Sequence, residues 1–533
     1  MLLPRRAASL VAAFIPLLIC APAAVAATGD DDPAADGAKR ILYKAGPFEI
    51  KPGQNTIELE ADKVPNPKVD GFITRIRPDL LRSDGTVPAV DVIHLHHGVW
   101  INTSRPNPTG VGVGEQFFAA GEEKTIFTLP KGYGLAHRAG DKWMLNHMIH
   151  NLTSQPEKVW ITYELDFIPR TDPAAKRIKP ASPLWMDVED GKAYPVFDVP
   201  KGGGDDGSYT YPDDDARAYA GRRRLNEWTV DRDGVLLATA GHLHPGGLYT
   251  DMWLRRPGAS PQPAAARSSA CRARRARTAA DKRRCATPAA TGDLAHLFRS
   301  EARYWEPAGA VSWDVAMTAT PSDWRVEVHK GDTLSISATY DSQRASWYES
   351  MGIMITYWAP DESGPDPFRT KVDWPGKVTH GHLPENDNHG GEDAGLPNAA
   401  SLADGPAAGE VGIENFLYEQ GDLTLSGAEL APPTVNAGQS LRFVNRDAHN
   451  PTGEPMHTIT ACKAPCNQST GIAYPLADAD IPFDSGNLGF GPRFFTAAAN
   501  RDSWETPKSL PDGTYNYFCR VHPFMRGAFR VVG

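Results

Sequence analysis

Short runs in which apolar and polar residues alternate recur along the whole chain. Examples are Ala89-Val-Asp-Val-Ile-His-Leu, Val159-Trp-Ile-Thr-Tyr-Glu-Leu-Asp-Phe, Gly234-Val-Leu-Leu-Ala-Thr-Ala, Thr333-Leu-Ser-Ile-Ser-Ala-Thr-Tyr and Ile353-Met-Ile-Thr-Tyr-Trp. Near the C-terminus the run Thr434-Val-Asn-Ala-Gly-Gln-Ser-Leu-Arg-Phe-Val-Asn and the run Gly513-Thr-Tyr-Asn-Tyr-Phe read the same way. A period of two places one face of each run on a core, which is the pattern of half-buried strands. Long stretches at helical spacing are scarce, and 49 Gly and 46 Pro punctuate the runs. The pattern predicts an all-β chain built of sandwiches.

With 533 residues the chain has length for roughly three or four domains. A first sandwich is expected over 39–200, ending near Lys201-Gly-Gly-Gly-Asp-Asp-Gly, and a second over 205–360. Residues 255–292, rich in Ala, Pro and Arg and without alternation, interrupt the second as a long surface insertion. Its basic cluster from Arg272 to Arg284 is suited either to solvent or to an acidic partner. A polar, His-rich connector at 361–412 leads to a last sandwich over 413–533.

The net charge of −10 gives no reason to expect a nucleic-acid partner. At the N-terminus Arg5-Arg6 precedes an apolar stretch from Leu10 to Cys20 and the small residues Ala24-Val25-Ala26. This reads as a signal peptide over 1–26, so the mature protein is expected to be secreted or periplasmic. No second apolar run has the ~18–20 residues needed to span a bilayer. Of the six cysteines, Cys462 and Cys466 are close enough to bridge, and Cys271 and Cys285 bracket the Arg-rich segment and form a second candidate pair.

The most specific chemistry lies in Tyr517-Phe-Cys-Arg-Val-His-Pro-Phe-Met, with Met456-His-Thr-Ile-Thr upstream. Cys519, His522 and Met525 are three residues apart and fit one tight loop, and His457 can arrive from a neighbouring strand. One thiolate, two imidazoles and a thioether form the donor set of a blue-copper electron-transfer site. From 413 to 533 the chain resembles the plastocyanin-type cupredoxins, which implies a Greek-key sandwich holding type 1 copper through His457, Cys519, His522 and Met525. Phe518 and Arg520 flank the cysteine, whereas multicopper oxidases place histidines on both sides of it, and copper nitrite reductases need one next to it.

Two further clusters precede this domain. The first is His94-Leu-His96-His97 with Trp143-Met-Leu-Asn-His147-Met-Ile-His150; the second is His242-Leu-His244 with Met351. In a strand His242 and His244 project to one face and can reach one metal, and a methionine completes a soft site suited to Cu(I). Their order, together with Leu129-Pro-Lys-Gly-Tyr-Gly and Gly331-Asp-Thr-Leu, resembles the ascorbate-dependent copper type II monooxygenases, the family of peptidylglycine α-hydroxylating and dopamine β-monooxygenases. The resemblance covers roughly residues 85–360 and implies two jelly-roll-like sandwiches with one copper each. His96, His97 and His150 would hold the electron-donating copper, and His242, His244 and Met351 the catalytic, O2-binding one. His94 shares a strand face with His96, so His94/His96 is an alternative pair; His147 points opposite His150 in a regular strand.

The chain departs from that family where the peptide hydroxylase holds its substrate's carboxylate. Ala240, Ile353 and Ile355 occupy positions that carry an arginine, an asparagine and a tyrosine there, so a glycine-extended peptide is disfavoured as substrate. The family's dense disulfides are also missing from 39–360. The resemblance implies a secreted copper monooxygenase that uses O2 to hydroxylate a C–H bond of a small-molecule or peptide-like substrate. Electrons would come from ascorbate or a redox protein through the C-terminal copper. The alternative is a non-catalytic extracytoplasmic copper-binding or electron-transfer protein. In the connector, His380, His382 and His389 with Glu385 and Asp387 form either a further metal site, contacts supporting a copper, or a hydrogen-bonded loop between domains.

Overall fold

Strand-forming alternation meets turn-forming glycine and proline throughout, and the result is a chain of β-strands joined by turns and short 3-10 segments, with no α-helix among the described residues. This is a computed structural model. It describes residues 34–533 apart from 110–111, 192–194, 216–217, 219–223, 257–293, 306–308, 311–312, 361–362, 384, 386–393, 450–455, 468–480 and 490–500. The expected signal peptide, nearly all of the 255–292 insertion with Cys271 and Cys285, and Asp387 and His389 lie outside the described residues. Among the described residues no helix is long and apolar enough to cross a membrane.

Two of the alternating runs are divided. Ala89–Val92 folds as a turn, with the amides of Val92 and Ile93 donating to the Ala89 carbonyl, and the strand begins at Ile93. The run from Thr434 becomes two strands, Thr434–Asn436 and Arg442–Asn445, in different sheets. Gly438 between them takes a φ of 80°, which favours glycine and turns the chain.

A four-stranded sheet in the first half has the order Asn55–Glu60, Trp143–Asn151, Ile93–Asn102, Glu115–Gly121. It faces a longer sheet through a core that includes Ile76, Leu95, Trp100, Phe118, Leu145, Ile161 and Tyr163. That longer sheet does not stop at the first sandwich. Lys179–Asp187 pairs in parallel with Tyr133–His137 through its first three residues and antiparallel with Ile353–Ala359 through its last six. Phe197–Val199 pairs with Trp347–Ser350. Strands N-terminal to residue 200 thus complete sheets of the second half, and the two halves share backbone hydrogen bonds across the expected boundary.

In the second half Gly234–His242 pairs with Ile353–Ala359, with His242 opposite Ile353. Gly247–Arg255 and Leu294–Tyr304 form an antiparallel pair in which Arg255 and Leu294 are register partners. The C-terminal part has two four-stranded sheets: Leu417–Tyr418, Glu410–Glu414, Arg442–Asn445 and Ser503–Glu505 in one, and Thr434–Asn436, Arg526–Val532, Gly513–Phe518 and Thr460–Ala461 in the other. Its first strand starts at Glu410, three residues before the expected boundary. Cys462 and Cys466 are joined by a disulfide. Apolar packing runs without a break from the second half, through Val90, Tyr340 and Trp347, into this part through Ile413, Phe443, Tyr517 and Phe529.

His296 is a buried, structural histidine. It lies 2.8 Å from Asp251, which also accepts two hydrogen bonds from Arg299, its cross-strand partner. Burial pushes the Asp251 carboxyl up, but Arg299 and His296 outweigh it and hold the group below the usual carboxylate range. Its stabilisation is therefore fully present above the unfolded carboxylate pKa of ~3.9 and lost on acidification below it. Asp251→Asn is expected to lower unfolding free energy by roughly 3 kcal/mol at neutral pH, leaving Arg299 buried without its counter-charge. The difference from wild type should shrink as pH falls below about 4 in denaturant titrations.

Candidate metal centres

At the C-terminal end of Gly513–Phe518 the chain turns through Cys519–Met525 and returns as Arg526–Val532. The turn is closed by the Met525 amide donating to the His522 carbonyl and the Cys519 amide to the Met525 carbonyl. His457 comes from the neighbouring segment, and His457, Cys519 and His522 present their ligand atoms to one another. Cys519 Sγ lies 3.8 Å from His457 Nδ1 and 3.6 Å from His522 Nδ1. Each imidazole spends its other nitrogen on the protein: His457 Nε2 is 2.9 Å from Asp447 Oδ2, and His522 Nε2 donates to the carbonyl of Gly53 at 2.9 Å. The amides of Thr458 and His522 point at the sulfur at 3.4 Å each. Met525 is buried on the same loop. Two imidazole nitrogens and a thiol sulfur thus form one buried donor set.

The loop does not stand free. His150, on the four-stranded sheet of the first half, donates through Nε2 to the carbonyl of Val521 at 2.5 Å. Gly53, which receives His522, is in the same half. Arg520 reaches the second half: it donates to the carbonyl of Ser346, covers the ring of Trp347 at 4.6 Å and pairs with Asp484 at 3.1 Å. The residues just after Cys519 therefore touch both halves of the molecule.

Behind His150 lies a second concentration of imidazoles. His94 is the register partner of His150, so the two share a sheet face, and their rings are 5.2 Å apart. A bulge between Leu95 and His97 redirects His96 and His97. The ring of His96 lies 5.9 Å from His94 and 6.1 Å from His150. The structure thus groups His94, rather than His97, with His96 and His150. His97 lies 3.3 Å from Asn146 Oδ1 and lines a cavity of about 120 Å3 together with His242 and Met351. His147 packs on Phe48, away from this group. Trp313 covers the three imidazoles, 4.3 Å from His94.

His242 and His244 arrive from the second half with their rings 5.1 Å apart, and the ring of His244 is 4.1 Å from that of His96. The two histidine sets meet at one seam. Between them stands a pair that the sequence reading passed over, Glu122 and Glu123, in the turn after Glu115–Gly121. Glu122 Oε1 is 2.9 Å from His96 Nδ1, and Glu123 Oε2 is 2.9 Å from His242 Nδ1. Gly121 permits this approach, since a Cβ there would lie 2.5 Å from the His96 carbonyl and 2.6 Å from His242. A signal was present: two adjacent acids one glycine after Phe117-Phe118-Ala119-Ala120 sit where an apolar strand enters the interior.

The connector holds this turn in place. His380 contacts the Glu123 carbonyl through Nε2, Lys124 pairs with Asp79 at 2.9 Å and Glu385 at 3.1 Å, and His382 pairs with Asp314 at 2.6 Å. Of the connector's expected roles, the described residues take that of a hydrogen-bonded clasp.

Burial dominates the electrostatics. It pushes His96 and His150 down to about 3 and holds His94 and His244 well below the usual imidazole range, with neighbouring imidazoles adding to the effect. These rings are neutral, the form that binds metal. Burial also pushes His242 down, but Glu123 outweighs it and keeps the imidazole above its ordinary value. Burial lifts the Glu122 carboxyl well above its usual range. The pattern of unused atoms is consistent: His94 Nε2, His150 Nδ1, His242 Nε2 and Glu122 Oε2 are buried and make no hydrogen bond with the described residues. Nitrogen and carboxylate donors left open in this way fit a transition-metal cation.

No family model matches the chain, and no curated protein is similar to it. Among solved structures, amicyanin from Paracoccus versutus (Thiobacillus versutus) shares 21% identity, with 26% of this chain and 92% of that one covered and a TM-score of 0.13. A reduced mutant of amicyanin gives 21%, 26% and 92% with a TM-score of 0.14. A purple cupredoxin from Nitrosopumilus maritimus gives 19%, 23% and 97% with a TM-score of 0.14. The likeness to cupredoxins thus covers about a quarter of the chain at scores too low to carry an argument. The resemblance to copper monooxygenases rests on the motifs alone.

For His457, burial pushes the imidazole down, but Asp447 and Cys519 outweigh it and lift it to about 8. In metal-free protein, Asp447→Asn is expected to lower this titration, read from the pH dependence of the His457 ring signals by NMR. An unchanged titration would assign the shift to Cys519 alone.

Proposed function

We propose that the protein is an exported copper oxidoreductase in which a C-terminal blue-copper site feeds electrons to copper held by histidines at the seam of two β-sandwiches. The observation that carries this reading is the hydrogen bond from His150 to the carbonyl of Val521. It joins one histidine of the seam to the residue preceding His522, a ligand candidate of the C-terminal site. His457, Cys519, His522 and Met525 would hold one copper; His94, His96 and His150 would hold another; His242 and His244, with Met351 nearby, would hold a third. His97 remains at the cavity wall. Copper bound at these donors would supply one-electron redox changes and, at the seam, activation of O2.

The chain's own residues define what else enters. The cavity beside His242 is lined by Val99, Ala119, Ala120, Ile353, Asn146 and Met351, among others. Its volume of about 120 Å3 is enough for several waters or a small organic group. Ala240, Ile353 and Ile355 are buried near His242 and give a substrate carboxylate no partner there. Asp187 and Asp190 line the same cavity, so a substrate that brings no carboxylate to this wall fits best, with hydroxylation of one of its C–H bonds as the reaction. Trp313 and the neighbouring strands keep bulk water from the imidazoles, which favours productive use of the electrons delivered.

Two measurements test the reading. Cys519→Ser should abolish the intense blue absorbance and the O2 uptake driven by a one-electron donor, while the seam keeps its copper. Donor-driven uptake unchanged in this variant would refute the relay. Glu123→Gln should weaken copper binding at the seam by about 10–100-fold, because it releases the Nδ1 side of His242. Competition with a chelator of known affinity reads this directly. Copper found only at Cys519, with no O2 uptake, would leave an electron carrier instead.

A further inference from the structure

The resemblance carried by the sequence motifs implies one copper in each sandwich. The seam is arranged differently. Glu122 belongs to two groups of mutually close ligand atoms, one with His94 and His96 and the other with His242 and His244. Within each group every ligand atom lies within 4.8 Å of the others. The two sets meet directly, ring on ring, where His96 and His244 stand 4.1 Å apart.

The two adjacent glutamates are not equivalent. Glu123 uses both oxygens on the protein: Oε1 accepts from the amide of Gly121 and Oε2 meets His242 Nδ1, both at 2.9 Å. It is a positioning residue. Glu122 uses one oxygen on His96, while Oε2 is buried with no hydrogen bond among the described residues. A fully buried carboxylate with an idle oxygen is costly unless a cation or proton meets it. The open nitrogens of His94 and His242 belong to the two groups that Glu122 joins.

Resting on the copper reading above, we infer that Glu122 is a shared ligand that makes the two histidine sets one dinuclear metal centre. Paired metals in enzymes stand about 3.5–4 Å apart, within the span of one carboxylate. The anionic bridge offsets part of the charge of two cations at a seam whose other donors are imidazoles, with Glu123 beside them.

The test uses the full chain with Cys519→Ser, which removes the blue-copper signal, loaded with Cu(II) alone. Two seam coppers are expected, with an EPR intensity well below two spins because the ions are magnetically coupled. Glu122→Gln should halve the copper retained after chelation and restore the full signal of an isolated ion. If Glu122→Gln fails to fold, the spin count per copper in the Cys519→Ser chain decides alone. Two coppers integrating to two full, uncoupled spins would overturn the shared centre while leaving separate copper sites intact. No copper at the seam would overturn the proposed function itself.

Discussion

An imidazole buried beyond the reach of water must have one nitrogen held by the protein before the other can serve a ligand. Four imidazoles of the seam meet that requirement; His244 does not, since neither of its ring nitrogens has a hydrogen-bond partner among the described residues. His94 gives Nδ1 to the carbonyl of Val90, His150 gives Nε2 to Val521, His96 meets Glu122 and His242 meets Glu123. The opposite nitrogens of His94, His150 and His242 are left buried and open. The C-terminal site repeats the arrangement, with Asp447 and the Gly53 carbonyl holding the far sides of His457 and His522. Such anchoring fixes ring orientation and tautomer, so the donors are organised in advance of any metal.

The same hydrogen bonds join the parts of the fold. Val521 and Gly53 tie the C-terminal loop to the first half, and Arg520 ties it to Ser346 and Trp347 of the second. A strand shared by the two halves, Lys179–Asp187, joins the longer sheet, which packs on the four-stranded sheet carrying His94, to the strands that carry His242. The connector completes the arrangement by bracing the Glu122–Glu123 turn through His380 and Lys124. Residues 34–533 accordingly form one compact unit rather than separate modules on a flexible chain.

Much of this was legible in the residues, and the illegible part has a physical reason. Alternation gave the all-β class, and the spacing of Cys519, His522 and Met525 gave the C-terminal donor set, because both are local properties. Register is not local. His94 joins His150 because they are cross-strand partners, and a bulge sends His97 toward another cavity; neither follows from spacing on one strand. The adjacency of His96 and His244 depends on how two halves pack, and Glu122 and Glu123 look like surface acids until the turn is folded inward. The strand shared across residue 200 was hidden for the same reason, since edge pairing between halves leaves no mark in the hydrophobic pattern.

The most direct test of the account is a crystal structure of the copper-loaded full chain with anomalous difference maps at the copper edge. The account predicts a peak between Cys519, His457 and His522, and a close pair of peaks flanking Glu122 among His94, His96, His150, His242 and His244. A map with density only at Cys519, and none at the seam, would contradict it.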